Sequence, residues 1–224
     1  MLVKNWMTKD VITIDIEESM ERAMGIIKLK NIRMLPVVKK ERLVGVVTDR
    51  DIRSSSASRA NSLEIHELIY LISKIKIKDI MTGDPITVPP DYTIEETAEI
   101  LLNKKINGVP VVDSQGGIVG VITQTDIFKA LISLTGLSKK GILMAFELED
   151  RPGSIKEVTD LIRKYGGRIS SILSSYDKAR EGYRNVYIRI YDMERPLFAF
   201  LTKDLKKTAT TLYMVDHNQN IREI

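Results

Sequence analysis

Apolar and polar positions along this chain follow two rhythms, and the first 136 residues run through the same order of rhythms twice. In EESMERAMGIIKLK (17–30), Met20, Ala23, Met24 and Ile27 recur at helical spacing, which predicts a helix with one apolar stripe. The short β-branched runs MLPVV (34–38) and LVGVVT (43–48) follow on either side of a polar turn, the pattern of a hairpin. Further on, Ala98, Leu101 and Leu102 mark a second helix, and VPVV (109–112) and IVGVIT (118–123) a second hairpin. A closing helix, DIFKALISLTG (126–136), ends at Gly136, a candidate C-terminal cap. Each unit therefore reads strand, helix, strand, strand, helix.

The echo is one of letters as well as rhythm. WMTKDVITI (6–14) answers IMTGDPITV (80–88), IRMLPVV (32–38) answers INGVPVV (106–112), and LVGVVTDRDI (43–52) answers IVGVITQTDI (118–127). The offset is 74 residues and becomes 75 after the turn, because KKER in the first copy is one residue shorter than DSQGG in the second. Surface turns tolerate such an insertion, so this is a duplicated structural unit, with a period too long for a solenoid of short repeats. Between the copies, polar SSSASRANS (54–62) gives way to LEIHELIYLISKI (63–75), predicted to be an apolar helix bridging them.

From Gly141 the texture changes. GILMAFELED reads as a strand, RPGS as a turn, and IKEVTDLIRKYGG as a helix with Ile155, Val158, Leu161 and Ile162 inward. RISSILSSY and YRNVYIRIY follow as strands joined by DKAREG, then RPLFAFLTKDL as a helix and TLYMVDH as a last strand. The order is βαββαβ, a ferredoxin-like arrangement, which by itself hosts many functions. In YRNVYIRIY, period-two alternation places Val186, Ile188 and Ile190 on one face and Tyr183, Tyr187, Arg189 and Tyr191 on the other. That second face could stack RNA bases or meet the sheet of another subunit. EGYRNVYI only half matches an RNA-recognition string, with Asn185 where an aromatic is expected, and the chain lacks a strong basic excess, so the interface reading is preferred.

Composition narrows the classes. The 34 basic and 30 acidic residues leave a net charge of +4 spread along the chain, a weak pull toward nucleic acid or anionic membrane. Without cysteine there is no disulfide, thiolate ligand or cysteine nucleophile. Only His66 and His217 offer imidazole, far apart in sequence, and no metal site is expected. No apolar run reaches membrane length and MLVKNWMTKD lacks the core of a signal peptide, so the cytoplasm is the expected location. No Walker motif and no nucleophile–base constellation stands out, so an enzyme is not expected.

Both copies end in Gly-h-h-Thr-x-x-Asp, where h is apolar: Gly45, Thr48, Asp51 and Gly120, Thr123, Asp126. At a strand-to-helix junction this is a capping box, with an acid favoured by the helix dipole. It is also a place where a carboxylate can accept from vicinal hydroxyls while the helix N-terminus attracts an anion. Over roughly residues 1–136 the lead-in MT…D.IT, the strands LPVV and VPVV, and the two Thr-x-x-Asp exits together resemble the CBS domain, named for cystathionine beta-synthase and used in tandem as a nucleotide-sensing module.

That resemblance implies an adenine nucleotide whose ribose is held by Asp51 with Thr48, or by Asp126 with Thr123. The base would lie near Ile12, Thr13, Met34 and Pro36 in one site and near Ile86, Thr87, Val109 and Pro110 in the other. The first copy adds Arg50 and Arg53 for phosphate, whose forks match its geometry, whereas the second has only Lys129, so unequal sites are expected. LEDRPGSI (148–155) and YGGRI (165–169) resemble the ACT domain, a regulatory module that often takes an amino acid, with Asp150, Arg151, Pro152 and Gly153 as its ligand loop; a tight turn is the alternative reading of Gly153. The order of the two modules resembles the acetoin-utilisation (AcuB-like) proteins.

The expected architecture is mixed α/β (α+β): a CBS domain with linker helix over 1–76, a second over 77–137, and a ferredoxin-like ACT domain over 140–224. The expected function is a non-enzymatic sensor, a homodimer, responding to AMP, ADP, ATP, NAD or S-adenosylmethionine and acting on an unidentified protein. RNA binding through the Tyr/Arg face and a structural adaptor without a ligand are the alternatives.

Overall fold

The structure, a computed structural model, describes residues 1–57 and 72–223, and for Ser56 and Ala57 the backbone only. The helix predicted over 63–75 lies outside the described residues except at its end, where residues 72–74 are helical and Ile75 is buried. The chain divides into two compact units, Met1–Phe128 and Lys129–Ile224.

In the first unit, copy one builds β1 (Ile14–Asp15), α1 (Met20–Lys30), β2 (Met34–Lys39), β3 (Arg42–Thr48) and α2 (Asp49–Ala57). Copy two builds β4 (Thr82–Gly83), α3 (Ile94–Lys104), β5 (Gly108–Val112), β6 (Ile118–Thr123) and α4 (Gln124–Leu134), of which the residues after Phe128 are counted with the second unit. The helix starts follow from local chemistry. Ser19 accepts from the Arg22 amide at 3.2 Å, and Thr93 and Glu96 close a reciprocal capping box. Asn31 and Lys105 end α1 and α3 in the left-handed conformation. The two hairpins share a register, Met34 opposite Thr48 and Gly108 opposite Thr123. Their turns differ as the offset requires: Lys40 and Glu41 both take positive φ, whereas the Asp113 carboxylate accepts from the amides of Gln115 and Gly117.

The predicted helix stripes are one position too wide, in α1 at Met24 and in α3 at Leu102. Met20 and Ala23 are buried but Met24 is 38% exposed; in α3, Ile94, Thr97 and Leu101 face inward while Leu102 is 76% exposed. The inward set recurs three and then four residues apart in both helices, and Leu102 occupies the place of Lys28, which points to water.

The two copies exchange their lead-in segments. Thr8 pairs with Val121 of β6 through amide–carbonyl bonds of 2.9 and 3.0 Å, and the Ile94 amide donates to the Met1 carbonyl at 2.7 Å. In return, β4 pairs with β3, Gly45 opposite Gly83 and Val46 opposite Thr82. Ile77 is buried in the first copy's core beside Leu35, Val37 and Val47. A boundary at 76/77 along the sequence is therefore not a boundary in space.

In the second unit, β7 (Ile142–Glu149), α5 (Ser154–Lys164), β8 (Arg168–Ser175), β9 (Tyr183–Tyr191), α6 (Arg195–Thr208) and β10 (Thr210–Asp216) follow in the βαββαβ order, and a short β11 (Ile221–Glu223) is added. The sheet is antiparallel in the order β11-β10-β7-β9-β8. Its core joins Met144 and Phe146 of β7, Val186, Ile188 and Ile190 of β9, Val158 and Ile162 of α5, and Leu201 and Leu205 of α6. Each such side chain contributes about 1.5–3 kcal/mol through burial. The Tyr165 hydroxyl donates to Asp204 Oδ2 at 2.6 Å and ties α5 to α6.

Candidate functional site

Each exit motif forms a closed corner. Thr48 stands at the last position of β3, and its backbone amide and its hydroxyl both donate to Asp51 Oδ2, at 2.9 and 2.6 Å. The Asp51 amide returns a bond of 3.3 Å to Thr48 Oγ1. The second corner repeats this, with the Thr123 amide and hydroxyl donating to Asp126 Oδ2 at 3.0 and 2.7 Å. The capping geometry is thus present in both copies. It does not use up a carboxylate, which offers about four lone-pair sites on two oxygens. The corners differ in access: Asp51 is half-buried, whereas Asp126 is 6% exposed.

Gly45 and Gly120 serve these corners through space. Neither takes a positive φ. A Cβ on Gly45 would fall 2.7 Å from Met81 Sδ and 2.8 Å from the Thr82 carbonyl, and one on Gly120 would fall 2.8 Å from Met7 Cγ and meet Met7 Sδ. The methionine of one lead-in segment thus occupies the space that a side chain would need in the other copy's motif.

The remaining sequence-predicted site residues fall into three groups. Met34 pairs across the hairpin with Thr48, Pro36 is buried opposite Val46, and Ile12 is half-buried against the first copy's core, while Thr13 is exposed. In the second copy Ile86 is 38% exposed and Thr87 half-buried, but Val109 is 1% exposed and Pro110 is buried, opposite Ile122 and Val121. Gly108, not Val109, holds the place of Met34. The constant offset of 74 points to it, and a Cβ there would come 2.9 Å from the Ile122 carbonyl.

Of the cations, Arg50 is exposed, and Arg53 lies along its own helix, donating from Nε to the Asp49 carbonyl and from Nη2 to its carboxylate, rather than standing free for phosphate. Lys129 follows Asp126 by three residues on α4 and belongs to the second unit.

In the 150–153 loop, Arg151 forks onto Glu157 with two bonds of 2.8 Å and reaches Glu149 at 2.9 Å. These bonds raise the guanidinium pKa further and hold the Glu157 carboxyl below its usual range. Asp150 is exposed and Tyr176 donates to it at 3.3 Å; Pro152 is exposed too. Gly153 has φ +90° with open space where a Cβ would stand, so its conformation, not a close approach, calls for glycine.

The Tyr/Arg face of β9 is not an exposed platform. Arg189 is 3% exposed. Its Nε donates to the Thr135 carbonyl at 2.7 Å and its Nη1 to the Lys140 carbonyl at 2.9 Å, beside His217 Nδ1 at 3.2 Å. Tyr187 lies 6.5 Å from the Tyr213 ring, and Arg180 stacks on Tyr183. The alternation in sequence placed these residues on one face correctly but could not reveal that residues 135–140 and 217 cover it. Among the described residues no cluster of histidine and acidic side chains is arranged to hold a metal, and no helix is long and apolar enough to cross a membrane.

Comparison with known proteins agrees with the duplicated corners. The family model of the CBS domain matches residues 3–58 and 77–133, half of the chain. The chain belongs to the CBS domain family, as a tandem pair.

An inosine-5'-monophosphate dehydrogenase of Korarchaeum cryptofilum is 34% identical over 125 residues, which is 56% of this chain and only 23% of that enzyme. A CBS domain-containing protein of Dictyostelium discoideum is 28% identical over 60% of this chain and 93% of its own length. Among solved structures, the CBS domain pair of protein MJ0100 in complex with 5'-methylthioadenosine and S-adenosyl-L-methionine is similar at 32% identity and a TM-score of 0.51, covering 58% of this chain and 95% of that one. A Vibrio cholerae protein assigned to acetoin utilization (AcuB) is similar at 25% identity and a TM-score of 0.52, covering 63% of this chain and 97% of its own.

Proposed function

We propose that this chain is a non-enzymatic regulatory sensor in which an adenine nucleotide settles at the strand-to-helix corners of the CBS pair. The observation that carries the reading is the likeness to a CBS pair in complex with two adenosine derivatives, at 32% identity. The chemistry of the corner agrees. The Asp51 carboxylate can keep Oδ2 in the cap and offer its other oxygen to ribose hydroxyls, while the N-terminus of α2 favours the anionic end. The greater exposure of Asp51 and the exposed Arg50 nearby favour the first corner, and the nearly covered Asp126 makes the second the weaker one.

The C-terminal unit is read as an ACT domain on its βαββαβ order and its positive-φ Gly153. An amino acid at the 150–153 loop is its expected ligand. The sensor acts in the cytoplasm as a homodimer on a regulated protein still to be identified. Ligand binding shifts the C-terminal unit only through unequal affinity for two of its arrangements.

Calorimetry with AMP, ATP and S-adenosylmethionine tests the reading. Micromolar binding, about −8 kcal/mol, is expected for at least one. Asp51→Asn, which leaves an oxygen for the cap, is expected to weaken it tenfold or more, and Asp126→Asn to weaken it less. Unchanged affinity in the double variant rejects the assignment.

A further inference from the structure

We propose that the two corners are coupled crosswise by the exchanged lead-in segments: Met81 positions the Thr48–Asp51 corner, Met7 positions the Thr123–Asp126 corner, and each segment also walls the corner of its own copy. The seating rests on geometry alone; its use in nucleotide sensing rests on the function proposed above.

Each segment meets the strand that leads into the other copy's corner and, within a few residues, the core or hairpin of its own copy. In the first, Met7 lies on Gly120 and Thr8 pairs with Val121, two residues before Thr123. Five residues on, Ile12 packs against the first copy's core, a cluster that includes Val47 and Ile52 on either side of that copy's corner. In the second, Met81 lies on Gly45 and Thr82 pairs with Val46, two residues before Thr48. Five residues on come Ile86 and Thr87, beside Val88, which pairs with Val111 of the second hairpin.

Anything that presses on residues 12–13 therefore pulls, through a tether of a few residues, on the backing of the opposite corner, and residues 86–87 do the same in return. Both glycines are extended strand residues whose missing Cβ is the space that the methionine fills, so the seating is a packed contact with no slack. Methionine suits it because its unbranched thioether adapts without leaving the gap. Because coupling between two sites is reciprocal in free energy, an effect of the first corner on the second must appear with equal size in the other direction.

The corner amides provide the readout, since Thr48 and Thr123 each donate to a carboxylate whose position depends on the strand behind it. In the full chain without ligand, Met81→Ala is expected to speed hydrogen exchange at the Thr48 and Asp51 amides roughly tenfold, the factor that about 1.4 kcal/mol of local stability gives. Thr123 and Asp126 should change less. Met7→Ala should give the mirror pattern, and Met81→Leu, which keeps the volume, should restore protection at Thr48.

A pattern in which each variant disturbs the corner of its own copy, or both corners equally, overturns the proposal. Added AMP then separates the two readings. If it protects the amides of one corner, the same crossed variants should weaken its effect on the other. If AMP, ATP and S-adenosylmethionine all leave both corners unchanged, the nucleotide reading fails while the exchange pattern still decides the seating.

Discussion

Arg189 carries its charge into the sheet of the second unit because its Nε and Nη1 are met by backbone carbonyls. The carbonyls of Thr135 and Lys140 and the ring nitrogen of His217 surround it, and burial lowers its pKa without a carboxylate to compensate. Guanidinium remains charged under such a shift. Arg189→Ala leaves two carbonyls without their donor, and a loss of about 2–3 kcal/mol is expected in urea unfolding. Arg189→Lys should recover little, since a single ammonium cannot replace the fork. The side of the strand on which Arg189 stands was readable from period-two alternation. Its burial was not, because the groups that cover it lie tens of residues away in the chain.

At the scale of the element, the Thr48–Asp51 cap was legible because capping is local, whereas the box of Thr93 and Glu96, which stand three apart and bond each other, was not singled out in the sequence. Thr93→Ala is expected to cost about 1 kcal/mol, measured by thermal unfolding. The facing of α1 and α3 was legible only to within one position, since Met24 and Leu102 are apolar yet face water. Leu102→Lys should therefore leave stability within about 0.5 kcal/mol of the parent.

The joint between α5 and α6 adds a pH dependence. The Tyr165 hydroxyl, and then Lys207, hold the Asp204 carboxyl below its usual range. A carboxyl with a depressed folded pKa contributes stability that is present above its unfolded value, near 3.9, and is lost as pH falls through the folded value. Tyr165→Phe should therefore lower the urea midpoint at pH 7, and the gap between variant and parent should close as the pH falls through the depressed value of the Asp204 carboxyl.

For the molecule as a whole, the duplication explains itself through the exchange of lead-in segments: neither copy has a complete sheet edge without the other's first residues. Gly45→Ala and Gly120→Ala should each lower stability by about 1–3 kcal/mol through overpacking against Met81 and Met7, checked by unfolding of the full chain.

The sequence by itself determined the repeat, the βαββαβ order of the last third and the Thr-x-x-Asp corners, because periodicity and such capping motifs depend on residues within a few positions of one another. Only the tertiary structure decided that the first eight residues close the second copy and that Arg189 is enclosed. Strand partnership and burial are settled by which distant segments compete best for the same edge and the same space, and that competition has no local signature in the chain.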